Sequence, residues 1–505
     1  MGMKHFDALR EAAAEISDLH AAMALLEWDQ QTFMPHNSAA DRSEQIGTLA
    51  KLIHEKSSAK TFGKLIEKAS KETANLPPDA FESRLCRRLR REFGKTSRVP
   101  ASLAAKIAGT AAKAHRAWAE AREKSDFSVF QPYLAQLIDL RRRYAGYFQP
   151  SGDIYDPLLD NFEEGCTVAK IDPIFTSLRE KQCALLRKIA AGTQVDDTFL
   201  HTEYDPAGQL AFVNEVITRM GYDFTRGRQD MSEHPFTTSF GLNDVRITTK
   251  VFAKLPVSCL LSSVHECGHA LYELGIDKKL NRTPLAEGAS FAFHESQSRL
   301  WENFVARSHD FWTFFYPKLR ELFPAQLADV PLEAFYRAVN KVEPSLIRTE
   351  ADEATYNLHI MLRYEMEKDM LNGRIEVADI PGTWNRKSLE YLGIEPENDA
   401  QGVLQDIHWS MGEFGYFPTY ALGNLIAAQI WTRAERELPG LGESIREGDF
   451  SPLLGFLRKN LHVYGAKFTP AETLRLSTGC NRIDPDCFMG ILERKYAAIY
   501  GFRAE

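Results

Sequence analysis

Along this chain the hydrophobic positions recur mostly three to four residues apart, the spacing of amphipathic helices, and a single stretch reads as β. Residues 6–28 predict a long helix, and a second starts near Ser38 with Ile46, Leu49, Leu52 and Ile53 at helical spacing. Between them, Trp28–Pro35 reads as a connector rich in aromatic and polar groups. Helical patterns follow over 79–125, with Pro100 opening a new helix, then over 128–148, 168–192 and 208–220, the last closing at Gly221. Tyr155–Glu163 reads as an acidic, aromatic connector that lacks the alternating oxygen ligands and turn glycine of a calcium loop. From Tyr222 to Phe252 the texture changes. Phe236–Phe240 and Val245–Thr249 flank a Gly241-Leu242-Asn243-Asp244 turn, which predicts a β-hairpin. Helical spacing returns from 256 onward, broken by loops near 276–288, 324–331, 372–385 and 394–401. The fold class expected is mainly α.

Composition narrows the function more than the fold. The chain has 505 residues, 44% hydrophobic and 26% charged, enough to bury a sizeable core. A net charge of −8 built from interspersed signs argues against nucleic acid as a partner. The arginine-rich run Arg84, Arg87, Arg88, Arg90 and Arg91 spreads over several helix faces beside acidic residues, so it reads as a solvated face. Seven scattered cysteines without a Cys-x-x-Cys pair suit reduced thiols in a cytoplasm. The N-terminus is amphipathic and charged rather than a signal peptide, and no run of eighteen apolar residues predicts a membrane span.

Directly after the hairpin, His265-Glu266-Cys267-Gly268-His269 sits in an apolar run opened by Pro256 and followed by Gly275. On a helix, His265 and His269 lie on one face, about 40° apart. Two imidazoles so placed can share one Zn²⁺, and Glu266 beside the first can work on a water molecule. A hydrolytic zinc site needs a third protein ligand. The next helical pattern, about 288–307, offers Glu295, with Glu302, Glu287, Glu273 and His294 as competitors on spacing. Arg299 is spaced to pair with Glu295 or Glu302. Cys267 reads as a packed thiol.

Further polar clusters accompany this motif. His234-Pro235-Phe236 and the segment around Arg246 flank the hairpin; Arg348 lies in Ile347–Asp352, which reads as the opening of a helix running through Met370. Gln405, Asp406 and His408 lie in Gly402–Trp409, ahead of Tyr416–Tyr420. An arginine there can grip a carboxylate, and a histidine or tyrosine can hydrogen-bond an oxyanion. Each, taken singly, also fits an ordinary role in capping or core packing.

Six segments in order carry a resemblance: HPF at 234–236, DVRIT at 244–248, HECGH at 265–269, HESQSR at 294–299, IRTEAD at 347–352 and GVLQDIHW at 402–409. The chain resembles the carboxypeptidase Taq family of metallocarboxypeptidases over essentially its whole length. Supporting similarity lies in WDQQTFMP at 28–35, YDPLLDNFE at 155–163 and GYFPTYALGNLIAAQIW at 415–431. Gln31, where the family pattern has Glu, and His36, where it has Pro, depart from it. The resemblance implies one large neurolysin-like helical domain with a deep groove and a small antiparallel β-sheet beside the metal. Its N-terminal helical part would span about 1–220 and its metal-site part about 221–505. It implies one divalent ion per subunit, zinc first, with cobalt or manganese as alternatives, held by His265, His269 and Glu295. Glu266 is then the general base. Arg348 is the first choice for the substrate's terminal carboxylate and Arg246 the second. His408, Tyr420 and His234 are candidates for the oxyanion, and Gln405 and Asp406 support the substrate-binding groups. The implied activity is removal of single residues from peptide C-termini with broad preference, poorly when that residue is proline, by a cytoplasmic homodimer. The competing readings are an endo-acting oligopeptidase of similar fold and a non-catalytic helical peptide-binding protein.

Overall fold

Long runs rich in Ala, Leu, Glu, Lys and Arg favour long helices. In the computed structural model, which describes residues 3–504, twenty-one α-helices and one three-stranded sheet form among the described residues. The first helix, Lys4–Thr32, continues through Trp28. The expected connector thereby shrinks to Phe33–Pro35, because Thr32 returns its hydroxyl to the Trp28 carbonyl (2.8 Å) and the Phe33 N–H bonds Asp29 (3.0 Å). Helix Ala39–Ser58 follows, burying Ile53 while Leu52 stays exposed. Tyr155–Glu163 is also more ordered than expected: Pro157 starts a short helix, Asp156–Phe162. Helix Ile380–Leu392 occupies part of the expected 372–385 loop, again with a proline in its first turn. The helix expected to open at Ile347–Asp352 begins only at Tyr356. Asp352 turns its carboxylate onto the N–H groups of Ala354 (2.8 Å) and Thr355 (3.0 Å), which holds the chain in a turn before the helix.

Close contacts divide the chain into two compact units, each assembled from three segments. One takes the segment ending at Ser97, Asp196–Val339 and Ile430–Asn481; the other takes Arg98–Val195, Asn340–Gln429 and the segment from Arg482 on.

The first unit contains the sheet and the helix Pro256–Leu274, with Val264, Cys267, Ala270 and Leu271 fully buried. The strands are β1 (Gln229–Met231), β2 (Thr237–Ser239) and β3 (Val245–Thr249), in the order β1-β3-β2. β2 and β3 form the predicted antiparallel hairpin, with Thr238 opposite Arg246. β1 adds a parallel edge to β3, with Gln229 opposite Ile247, so the sheet is mixed rather than wholly antiparallel. Three residues are too few to show a period in the sequence. Helix Phe81–Arg98 carries the arginine run, where Arg84 pairs with Glu472 (2.9 Å) and Arg88 pairs with Glu92.

In the second unit, helix Tyr356–Leu371 is buried almost all round, carrying His359, Arg363 and Glu367 inside. Such a helix must satisfy its polar groups internally. Glu367 accepts from the Trp409 indole (2.8 Å), the Gly415 N–H (2.8 Å) and the Tyr155 hydroxyl. No helix among the described residues is long and apolar enough to cross a membrane, and no disulfide forms among them.

Candidate metal centre and arginine cluster

Helix Pro256–Leu274 holds both histidines of the motif, and helix Phe291–Arg299, capped by the Ser290 hydroxyl, brings Glu295 to them. Gly268 makes that approach possible. A Cβ there would sit 2.7 Å from both the Gln297 carbonyl oxygen and the Ser298 Cα, so only glycine allows the second backbone so close. Gly275, after the last residue of the first helix, has ordinary right-handed geometry; a Cβ on it would meet His462 at 2.7 Å. Beyond Arg299 the chain widens into a π-helical turn, Leu300–Ala306, which carries Glu302 back towards the first helix.

The three donors converge. Glu295 Oε2 lies 3.6 Å from His265 Nε2 and 3.5 Å from His269 Nε2, and all three donor atoms fall within 4.8 Å of one another. Donors about 2.0–2.2 Å from a zinc ion at tetrahedral angles lie roughly 3.3–3.6 Å apart, so the spacing fits one small divalent ion. The opposite ring nitrogens are engaged elsewhere: His265 Nδ1 with Glu302 (2.8 Å), and His269 Nδ1 with His294 Nδ1 (2.6 Å). Arg299 braces both carboxylates, reaching Glu295 Oε1 at 2.7 Å and Glu302 at 3.2 Å. The spacing competitors therefore stand behind the ligand set. Glu302 backs His265, and His294 backs His269 and is itself held by Glu273 at 2.7 Å.

Burial alone would raise the Glu302 carboxyl, but Arg299 and the His265 hydrogen bond bring it down to about 2. Glu295 is likewise held well below the usual carboxylate range by Arg299 and the two imidazoles, against the effect of burial. Burial drives His269 down to about 3, in the direction of a neutral ring with a lone pair to donate. Burial raises Glu266, opposed by the His265 charge and by Thr237 on strand β2, whose hydroxyl lies 2.6 Å from Glu266 Oε2. A carboxylate of raised pKa suits proton exchange near neutrality. A cavity of about 890 Å³ in the same unit is lined by Phe62, Phe93, Phe240, Glu273, Arg282 and Glu287.

Arg246 on β3 is held by an acidic partner and two aromatic rings. Asp244 binds it through two contacts (2.9 and 2.8 Å), and Trp28 and Phe240 stack on it at 4.4 and 4.9 Å. His234 is exposed in the loop between β1 and β2. The second unit gathers the remaining candidates. Arg348 reaches Asp406 (2.9 and 2.8 Å) and the Tyr356 hydroxyl (2.9 Å), and lies 5.1 Å from the Tyr420 ring. Asp406 is shared with the wholly buried Arg363 (2.6 Å), and Gln405 Oε1 accepts from the Arg348 N–H (2.9 Å) and from Arg363 (2.7 Å). Two guanidinium groups thus face one carboxylate, leaving the buried cluster with a surplus positive charge. His408 Nε2 is 3.4 Å from the Tyr420 hydroxyl. Its pKa falls to about 4 through burial and the two arginines, against the pull of Asp406.

The family model for Carboxypeptidase Taq (M32) metallopeptidase matches residues 8–496. The chain belongs to the M32 carboxypeptidase Taq family. It is 38% identical to "Carboxypeptidase 1" of Bacillus subtilis over 98% of each chain. It is also 38% identical to "Thermostable carboxypeptidase 1" of Thermus thermophilus, covering 98% of this chain and 99% of that one. The crystal structure of the M32 carboxypeptidase from Deinococcus radiodurans R1 is 40% identical, covers 99% of this chain and 100% of its own, and superposes with a TM-score of 0.96.

As an M32 metallopeptidase the chain is an enzyme with a divalent metal, and the His-His-Glu cluster is its candidate site. Sequence reasoning missed Thr237 beside the metal cluster and, in the second unit, Tyr356 and Arg363 beside Arg348 and Asp406. Thr237 was assigned only to a strand, and its facing of Glu266 depends on how the sheet packs on the helix. Arg363 lies 43 residues from Asp406 in sequence, beyond the reach of local pattern. An arginine at i+7 from Tyr356 in a helix with no polar face was the available signal.

Proposed function

We propose that this M32 enzyme removes single residues from peptide C-termini with broad preference, using Glu266 as general base and His265, His269 and Glu295 as ligands of one ion, zinc first. The observation that supports the ligand set most is the 3.5–3.6 Å spacing of Glu295 Oε2 from two Nε2 atoms whose rings are held from behind. When bound, a divalent ion supplies Lewis acidity, making water nucleophilic near neutral pH and polarising the scissile carbonyl. Glu266 takes the proton of the attacking water and passes it to the leaving amine, while Thr237 holds its Oε2. Arg348 receives the substrate's terminal carboxylate. The surplus charge of its cluster favours it over Arg246, whose charge Asp244 already matches. An anion entering that cluster restores neutrality, which a buried guanidinium pair demands. Tyr420, with His408 beside it, hydrogen-bonds the developing oxyanion. His234 is assigned the same role with only its loop position beside β2 in support. Gln405 holds Arg348 by its backbone.

The reading extends to a single metallocarboxypeptidase domain that works as a homodimer in the cytoplasm, where thiols not joined in disulfides stay reduced. A pair of blocked peptides tests the exopeptidase reading. Metal-loaded enzyme should trim an N-blocked peptide and leave its C-amidated counterpart intact. Cleavage of the amidated peptide alone would make it an endo-acting oligopeptidase.

A further inference from the structure

We infer that Glu273 and His294 form a hydrogen-bonded relay that fixes the tautomer and orientation of His269 from outside the ligand set, a role that rests on the metal reading above. The two Nδ1 atoms of His269 and His294 lie 2.6 Å apart, so one must donate and the other accept. Glu273 and the ligand position together decide which. As a carboxylate Glu273 only accepts, so the His294 Nε2 that faces it at 2.7 Å carries a hydrogen. Ligation through His269 Nε2 places that ring's hydrogen on Nδ1, so the His294 Nδ1 that faces it accepts. His269 is left with its lone pair on Nε2, the atom 3.5 Å from Glu295 Oε2. The order of the chain is therefore Glu273, His294, His269, ligand position.

The two ligand histidines are oriented by different devices. His265 donates directly to a carboxylate, Glu302, at 2.8 Å, whereas His269 donates to a neutral ring that a carboxylate holds one step further out. Either device fixes the ring's tautomer and orientation. The geometry of the relay is fixed by packing as well as by hydrogen bonds: the Tyr272 ring lies 5.4 Å from His294, and the Tyr272 hydroxyl accepts from the Ala289 N–H. His294 and Glu273 are positioning residues, acting only through His269.

Replacing Glu273 by Gln lets the side-chain amide donate towards His294 Nε2. That unties the His294 tautomer: the charge that held the hydrogen on Nε2 is gone, and an amide turned to donate sets two Nδ1–H groups against each other unless His269 moves its hydrogen to Nε2. The test is Zn²⁺ titration of metal-free protein against a chelating indicator, with the visible absorption of the Co²⁺-loaded protein as a second readout. Glu273→Gln and His294→Leu should each weaken Zn²⁺ binding by about 10–100-fold and shift the Co²⁺ bands. His294→Gln, whose amide can donate to Glu273 and accept from His269, should recover affinity to within about threefold of the parent. His269→Ala serves as the reference for loss of a ligand. Parental affinity and spectrum in Glu273→Gln and His294→Leu, with binding lost in His269→Ala, would overturn the relay alone. Loss in His294→Leu without recovery in His294→Gln, and with Glu273→Gln unchanged, would reduce His294 to packing and also overturn it. Unchanged binding in His269→Ala would instead remove the metal site on which the relay rests.

Discussion

Glu266, Arg348 and His408 are buried to similar degrees, yet their neighbours make them behave differently. Glu266→Gln keeps the donors of the ion intact and removes the proton acceptor. It should retain metal, measured by elemental analysis, and lose about 10²–10⁴-fold in kcat. Arg348→Ala should lower kcat/KM for peptides by about 10–100-fold, the worth of a hydrogen bond to a charged group, with a smaller loss for Arg246→Ala. It should also leave the fold little disturbed, since Asp406 keeps Arg363 as partner; comparing chemical denaturation of Arg348→Ala and Asp406→Asn checks this. His408 gives a pH signature. Its folded pKa, about 4, lies below the usual 6.5, so it stabilises the fold fully above 6.5 and loses that contribution as pH falls from 6.5 towards 4. The stability of His408→Gln should therefore vary less over that window, by an amount on the order of 3 kcal/mol at its acid end.

The hairpin, the helix Pro256–Leu274 and the return helix form one local assembly, and the fit between the two helices depends on Gly268. Gly268→Ala should force them apart, costing about 1–3 kcal/mol in thermal or denaturant unfolding and weakening metal binding in parallel. This level of organisation was legible in the sequence to differing degrees. Periodicity placed the hairpin and the metal helix, because Val245, Ile247 and the apolar run around His265 are written in local pattern. Spacing could not choose among Glu295, Glu302 and His294. His294 is one residue from Glu295 and Glu302 is seven, all on one helical run, and the π-helical turn at Leu300–Ala306 shifts which side chains face inward. Nor could pattern end the first helix: Trp28–Thr32 stays helical through hydrogen bonds that composition does not reveal. The function became legible only through motifs taken together, since Arg348 and Asp406 lie 58 residues apart.

At the scale of the whole molecule, each compact unit draws on three separate lengths of chain, and no single cut through the sequence frees either one. The single-domain reading predicts one cooperative heat-absorption peak in scanning calorimetry. Chelation of the ion should lower its midpoint, and excess Zn²⁺ should raise it by mass action. Two separate peaks would divide the domain. The same interleaving has a consequence for synthesis. A ribosome making about 5–20 residues per second completes the first unit only when Asn481 has emerged, so the helices before Ser97 wait roughly 20–80 s for their last partners. The donors His265, His269 and Glu295 instead leave the tunnel within seconds of one another, in one uninterrupted middle segment. The nascent chain thus carries a complete set of metal donors well before it has a finished core around them.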